Sequence, residues 1–355
     1  MKRKFFARVL FAVIAMSVML TACSAGGTTS SDSPAASNSA SRAAGGKKYA
    51  IVLKNNGNRY NEKVAKGFQN AVAKLGITAI VKLPDRPTAE AQIAIVEELI
   101  TQQVNGIAIA GNDVDALQPV LSKAMGEGIH VISLDSSVNK DSRDTHVSQA
   151  DPAAIGKTLI EAAYDMMSGF GEFAILSATS QAANQNAWIM QMQETLKDKK
   201  YKNMKLVKVA YGDDLRDKST TETESLLQSY PHLKCIVSPT TVGISAACKV
   251  VVDKNLTGKI KITGLGLPSE MADYIQKGVC PYMYLWNPFY VGSLAAYTLD
   301  NIVNRKITGK VGDTFTAGDL GEKKIAEAAD GGTEVLLGEP FKFDKTNIGE
   351  WKTVY

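Results

Sequence analysis

The polar chemistry of this chain lies at the ends of short apolar runs. Lys54 and Tyr60 follow Ala50–Leu53, Asn112 follows Ile107–Ala110, and Asp135 follows Ile129–Leu134. Asn184 and Gln185 open a helical stretch, Pro239 and Thr241 follow Cys235–Val237, and Trp286 and Asn287 follow Met283–Leu285. A carboxylate accepts hydrogen bonds, an ammonium donates three, and each carboxamide does both. Such a set suits a neutral, hydroxyl-rich molecule. Tyr60 and Trp286 offer aromatic faces for the C–H surface of a sugar ring. An aspartate and a lysine of opposite sign limit the cost of burying each other. Taken singly, each residue also fits a plainer role: Lys54 and Asn112 as solvated loop residues, Asn184 as a helix cap, Trp286 as core.

These residues converge only if the elements behind them do. Lys48 to Asn70 reads as a strand, a polar loop and a helix: Ala50–Leu53 is a continuous apolar run, as in a parallel strand buried on both faces, and Val64, Phe68 and Val72 recur at helical spacing. The same unit repeats. Strands at Ile77–Val81, Ile107–Ala110 and Ile129–Leu134 alternate with helices near Thr88–Gln103 and Asp115–Met125. After the extended Thr145–Gln149, a helix at Pro152–Met167 opens a second series, with strands Phe173–Leu176, Leu206–Tyr211, Cys235–Val237, Ile260–Thr263 and Met283–Leu285. Helices near Asn186–Lys197, Ser219–Ser229, Val242–Val252 and Ser269–Gln276 separate these strands. The fold class is therefore α/β, with two doubly wound parallel-sheet lobes. Open sheets of this kind bind ligands beyond the carboxyl ends of their strands. Two such lobes suggest a hinged binding protein with its ligand in the cleft, although the sheet pattern alone supports only the lobes, an architecture that also hosts enzymes.

Export is read from the first residues. Lys2, Arg3, Lys4 and Arg8 precede an apolar run from Val9 to Leu20, and Leu20-Thr21-Ala22-Cys23 follows. That is the order of a lipoprotein signal peptide (residues 1–22), in which Cys23 is acylated and becomes the mature N-terminus. Residues 23–46, rich in Ser, Ala, Gly and Thr, form a flexible linker that cannot bury enough apolar surface to fold. The expected location is extracytoplasmic, anchored to the cell membrane by lipidated Cys23.

Composition removes several alternatives. The formal charge of +4 comes from the leader. Five basic residues (Lys2, Arg3, Lys4, Arg8, Arg42) and one acidic residue (Asp32) precede Lys47, leaving 35 of each sign from Lys47 onward. A neutral domain without a basic run has no electrostatic footprint for nucleic acid. Cys235, Cys248 and Cys280 lack metal-ligand spacing and read as small packing residues, and three histidines dispersed in sequence do not build a metal site. Gly264-Leu-Gly266 follows a strand but lacks the third glycine and the acidic ribose partner of a dinucleotide site. Neither an enzyme, a cofactor nor a bound metal is expected.

Several stretches resemble the sugar-binding proteins of bacterial ABC importers: Lys47–Asn70, Asn105–Ser137, Gly171–Thr179 with Asn184–Trp188, Tyr211-Gly-Asp-Asp214, Ser238–Gly243, Thr263–Met271 and Leu285–Pro288. The resemblance runs from Lys47 to the C-terminus and is strongest to rhamnose-binding receptors and Lsr-type autoinducer-2 receptors. It implies the type I periplasmic-binding-protein fold, an ABC permease as partner, and a monomer. It also implies three crossings between lobes, with an N-lobe of residues 47–149 and about 288–318 and a C-lobe of 150–287 and about 319–355. Lys54, Asp135, Gln185 and Pro239 match the autoinducer-2 pattern. Asn184 and Thr241 stand where that pattern has Asp and Ala, and both coincide with the rhamnose type. The implied ligand is rhamnose or a related monosaccharide, with autoinducer-2 as the alternative.

Overall fold

The computed structural model describes residues 46–355; Cys23 and the expected signal and linker segments lie outside them. The first elements are β1 (Lys48–Val52), α1 (Arg59–Lys74), β2 (Thr78–Lys82), α2 (Ala89–Thr101), β3 (Gly106–Ile109), α3 (Gln118–Gly126), β4 (His130–Leu134) and β5 (Thr145–Ser148). A second series follows: α4 (Pro152–Met166), β6 (Gly171–Ser177), α5 (Ala183–Thr195), β7 (Met204–Tyr211), α6 (Arg216–Ser229), β8 (Leu233–Ser238), α7 (Thr241–Asp253), β9 (Lys261–Gly264), α8 (Pro268–Gln276) and β10 (Tyr282–Leu285). The chain closes with α9 (Pro288–Val303), β11 (Thr314–Thr316), β12 (Glu322–Lys324), β13 (Ala326–Glu327), β14 (Thr333–Leu336), β15 (Phe341–Asp344) and α10 (Ile348–Trp351).

Two sheets result. One runs β13-β14-β5-β4-β3-β1-β2 and is parallel except where β13 meets β14; the other runs β7-β6-β8-β9 and is parallel throughout. Strands β1, β3 and β8 are buried nearly end to end because helices cover both sheet faces. The chain passes between the sheets at 149–151, 286–287 and 337–340. Residues 319–355 were expected to belong wholly to the second lobe, and here the structure differs. Strand β14 pairs in parallel with β5, Val335 opposite Val147, and so extends the first sheet; only from β15, which pairs antiparallel with β10 in a two-stranded sheet of its own, does the chain return to elements of the second series. The edge of β5 supplies the physical reason, since its open hydrogen-bonding row needs a partner.

Helix α9 lies on α1 at close range. A Cβ on Gly67 would collide with the Phe289 carbonyl, and one on Gly292 with the Val64 carbonyl. These two glycines let the backbones touch, and Ser293 Oγ donates to Gly67 O at 3.2 Å across the crossing. Cys235, Cys248 and Cys280 are fully buried free thiols, pushed towards the protonated form by burial where a shift is resolved.

His146 on β5 shares a hydrogen bond of 2.8 Å with Ser133 Oγ on β4. Burial, and then the positive charge of Arg143, lower its pKa from the usual 6.5 to about 3, against an opposing pull from Asp330. A ring that must stay neutral when folded stabilises the protein above pH 6.5, and that contribution is lost as pH falls from 6.5 towards 3. His146→Asn should therefore flatten the fall in urea midpoint between pH 7 and pH 5, where one proton of linkage is worth at most about 1.4 kcal/mol per pH unit. Parallel slopes for the two proteins would contradict the buried neutral ring.

Candidate functional site

Each side chain of the site is placed by the end of a strand. Asn58 caps α1, its Oδ1 accepting from Tyr60 N at 2.9 Å, so the helix begins where the β1 loop ends and carries Tyr60 in its first turn. Gln92, buried on α2, ties the neighbouring strand ends together. Its Nε2 donates to Leu53 O at 3.1 Å and Ala110 O at 2.7 Å, and its Oε1 accepts from Asn112 N at 2.8 Å. Asp135 stands one residue past β4 with φ +59°, and Asp214 past β7 with φ +53°. A non-glycine residue in the left-handed region is uncommon and costs about 1 kcal/mol or more, least for Asp and Asn. At both positions that backbone turn carries a carboxylate to the cavity, Asp135 buried and Asp214 half-buried.

The two sheets enclose a cavity of about 370 Å³ of space not filled by atoms, its mouth included. Lys54, Tyr60, Asp135, Asn184, Gln185, Pro239, Thr241 and Trp286 line it. A relay of hydrogen bonds crosses it: Trp286 Nε1 donates to Tyr60 OH (2.7 Å), and Tyr60 OH donates to Asp135 Oδ1 (3.1 Å). Asn184 Nδ2 donates to Asp135 Oδ2 (3.3 Å), and Lys54 Nζ donates to Asn184 Oδ1 (3.1 Å). Lys54 and Asp135 thus meet through the amide of Asn184, which belongs to α5 of the other lobe. Gln185 Oε1 accepts from Ser177 Oγ (2.7 Å) and Ala178 N (2.8 Å), leaving its NH₂ side for the cavity. Trp286 stands edge-on to Tyr60 (centroids 6.5 Å apart) and to Trp188 (5.8 Å), so an aromatic line runs from the first lobe through the middle crossing to the second.

Two predicted residues are not on this lining, and for each the structure gives a different role. Asn112, only 5% exposed, turns its Nδ2 back to Lys54 O at 2.9 Å and holds the backbone behind the lysine. Asn287 caps α9, accepting from Phe289 N at 3.0 Å, and faces a separate groove near the C-terminus. Others join the lining unforeseen: Asn58, Asn61, Trp188, Asp214, Thr240, Leu265 and Leu285. The signal for Asp214 was present in the acidic pair Asp213-Asp214 directly after a strand.

Burial raises the pKa of Asp135 and of Asp214, while the Lys54 ammonium draws both back down. Tyr60 OH and Asn184 also favour the Asp135 carboxylate, and Thr240 Oγ1 hydrogen-bonds Asp214. Burial first, and then the Asp135 charge, hold the Tyr60 phenol well above its ordinary value, so it stays a hydrogen-bond donor. Two carboxylates and one ammonium in an aromatic-walled cavity offer strong acceptors and donors to a neutral polyol. Among the described residues no group of three His, Cys, Asp or Glu side chains is placed to hold a metal ion.

A model of the periplasmic binding protein domain matches residues 49–307. A D-ribose/D-allose-binding protein of Pseudomonas aeruginosa is 25% identical over 228 residues, covering 61% of this chain and 69% of its own. An ABC transporter solute-binding protein from Clostridium phytofermentas, solved with bound L-rhamnose, is 48% identical, with a TM-score of 0.86 over 88% of this chain and 100% of that one. A sugar ABC transporter protein from Actinomyces odontolyticus is 34% identical, with a TM-score of 0.68 over 86% of this chain and 97% of its own. The LsrB protein of Clostridium saccharobutylicum, solved with autoinducer-2, shares the fold at a TM-score of 0.81 and 21% identity over 86% of this chain and 99% of its own.

Proposed function

Because the chain belongs to the periplasmic binding protein family, the substrate-binding receptors of ABC importers rather than enzymes, we propose that it captures L-rhamnose or a related monosaccharide for import. The observation that carries this reading is the relay through Lys54, Asn184, Asp135 and Tyr60, which presents charged and amide groups to a cavity walled by Trp286 and Trp188. The 48% identity to a protein that holds L-rhamnose supports that sugar. Calorimetric titration with L-rhamnose, D-ribose and autoinducer-2 tests it. Rhamnose should bind most tightly, and at a hundredfold excess over its dissociation constant it should stabilise the fold by about 2.7 kcal/mol. Tight autoinducer-2 binding with no response to rhamnose would overturn it.

Autoinducer-2 is the second reading, favoured by Lys54, Asp135, Gln185 and Pro239. Asn184 and Thr241 argue against it. An amide donates as well as accepts, whereas a carboxylate only accepts, and Thr241 adds a methyl and a hydroxyl to the cavity wall. Asn184→Asp with Thr241→Ala should weaken rhamnose and strengthen autoinducer-2, each by about 1–3 kcal/mol. An unchanged ranking of the two ligands would remove these positions from the account of specificity.

The leader supports export and acylation of Cys23, which tethers a monomeric receptor beside its permease. With Cys23→Ser the protein should still be exported but no longer incorporate labelled fatty acid or pellet with membranes. Labelling equal to wild type would place the anchor elsewhere.

A further inference from the structure

Beside the first cavity lies a second, with about 760 Å³ of atom-free space, towards the crossing at 149–151. Asp135, Asn184 and Trp188 line both. The partition between them includes one side-chain hydrogen bond, Asn184 Nδ2 to Asp135 Oδ2 at 3.3 Å. A sugar hydroxyl that bonds Asp135 in the first cavity competes for this same contact.

The second cavity is a built site. Val138, Ala183, Ala187 and Trp188 give it an apolar wall, and Arg143, His146 and Gln149 a polar end. Gln149 is 1% exposed, yet its Oε1 has no hydrogen-bond partner; Arg143 is 6% exposed, and its Nε has none. Neither atom has surface open to the cavity as it stands, so a guest gains them as partners only through rotation of these two side chains. The guest is neutral. Arg143 Nη2 is already paired with Asp330 at 2.8 Å, His146 is held uncharged by burial, and Glu334 beside them would repel an anion.

We propose that this receptor takes its sugar as a neutral glycoside or disaccharide, with one deoxyhexose unit in the first cavity and the hydroxylated or aryl substituent in the second. The inference rests on the reading that the first cavity holds a sugar. The full-length protein is titrated with L-rhamnose, 4-nitrophenyl α-L-rhamnopyranoside and α-(1→3)-linked rhamnobiose. At least one of the two substituted sugars should bind within tenfold of rhamnose or more tightly. Ala187→Trp, which fills the second cavity from α5, should weaken that ligand at least tenfold while rhamnose stays within threefold. Gln149→Leu is the second variant, should the bulky one not fold, and is expected to weaken rhamnobiose selectively. Binding of rhamnose with rejection of both substituted sugars overturns the proposal, as does a substituted sugar that binds equally well to wild type and to the folded variants. Binding of a substituted sugar without rhamnose supports it. Failure of all three probes instead removes the sugar from the first cavity, and the proposal falls with that reading.

Discussion

Asp135→Asn is expected to weaken sugar binding by about 2–5 kcal/mol, roughly 30- to 5,000-fold, with little loss of folded stability. The substitution keeps the volume and tolerates the left-handed backbone at φ +59°, so the main change is one acceptor turned into a donor and one charge removed. Tyr60 OH and Asn184 Nδ2 both donate to this carboxylate, and an amide cannot accept from both through its nitrogen. Lys54, only 6% exposed, would meanwhile lose one of its two neighbouring negative charges. The side chain is 7% exposed and its pKa is raised by burial, so the unliganded fold gains little from its charge. Calorimetry for affinity and thermal melting for stability separate the two effects. A variant that binds within threefold of wild type would take Asp135 out of the site.

The second large effect is on stability. Gly67→Leu should cost about 3 kcal/mol, because the new side chain meets the Phe289 backbone rather than a side chain that could rotate away. In a protein of this size that is a fall in melting temperature of roughly 4–6 °C. Gly126→Ala is the contrast: nothing lies within 4 Å of a Cβ there, so it should be neutral or stabilise by about 0.4–1 kcal/mol. Equal melting temperatures for Gly67→Leu and wild type would mean that α1 and α9 do not cross where they are placed.

Much of this architecture could be read from apolar runs alone. Strands β1, β3, β4, β6 and β8 are dominated by apolar residues because helices bury both of their faces, and such runs survive without any knowledge of their partners. Strands β11 to β15 leave no such trace. They are two to four residues long and mostly half-exposed or exposed, and β14 is defined by pairing with β5, far away in sequence. The site shows the same division. Strand ends give a residue's position but not the direction of its side chain, so Asn112 and Asn287 were expected in the cleft when their amides serve nearby backbone. Asp214 has the opposite history. As one of two adjacent acids it resembles an exposed turn, and only the left-handed backbone after β7 carries it inward beside Thr240.

The placement of the tryptophans gives the protein an optical gauge of its own. Of three in the chain, Trp188 and Trp286 are edge to face at the cleft, while Trp351 packs against Phe341, Phe343 and Tyr355 near the C-terminus. The indole N–H of Trp286 is bound to a phenol that in turn donates to Asp135, so a guest that takes over Asp135 alters the polarity around one fluorophore and the coupling between two. Ultraviolet emission should therefore shift on sugar binding without any attached label.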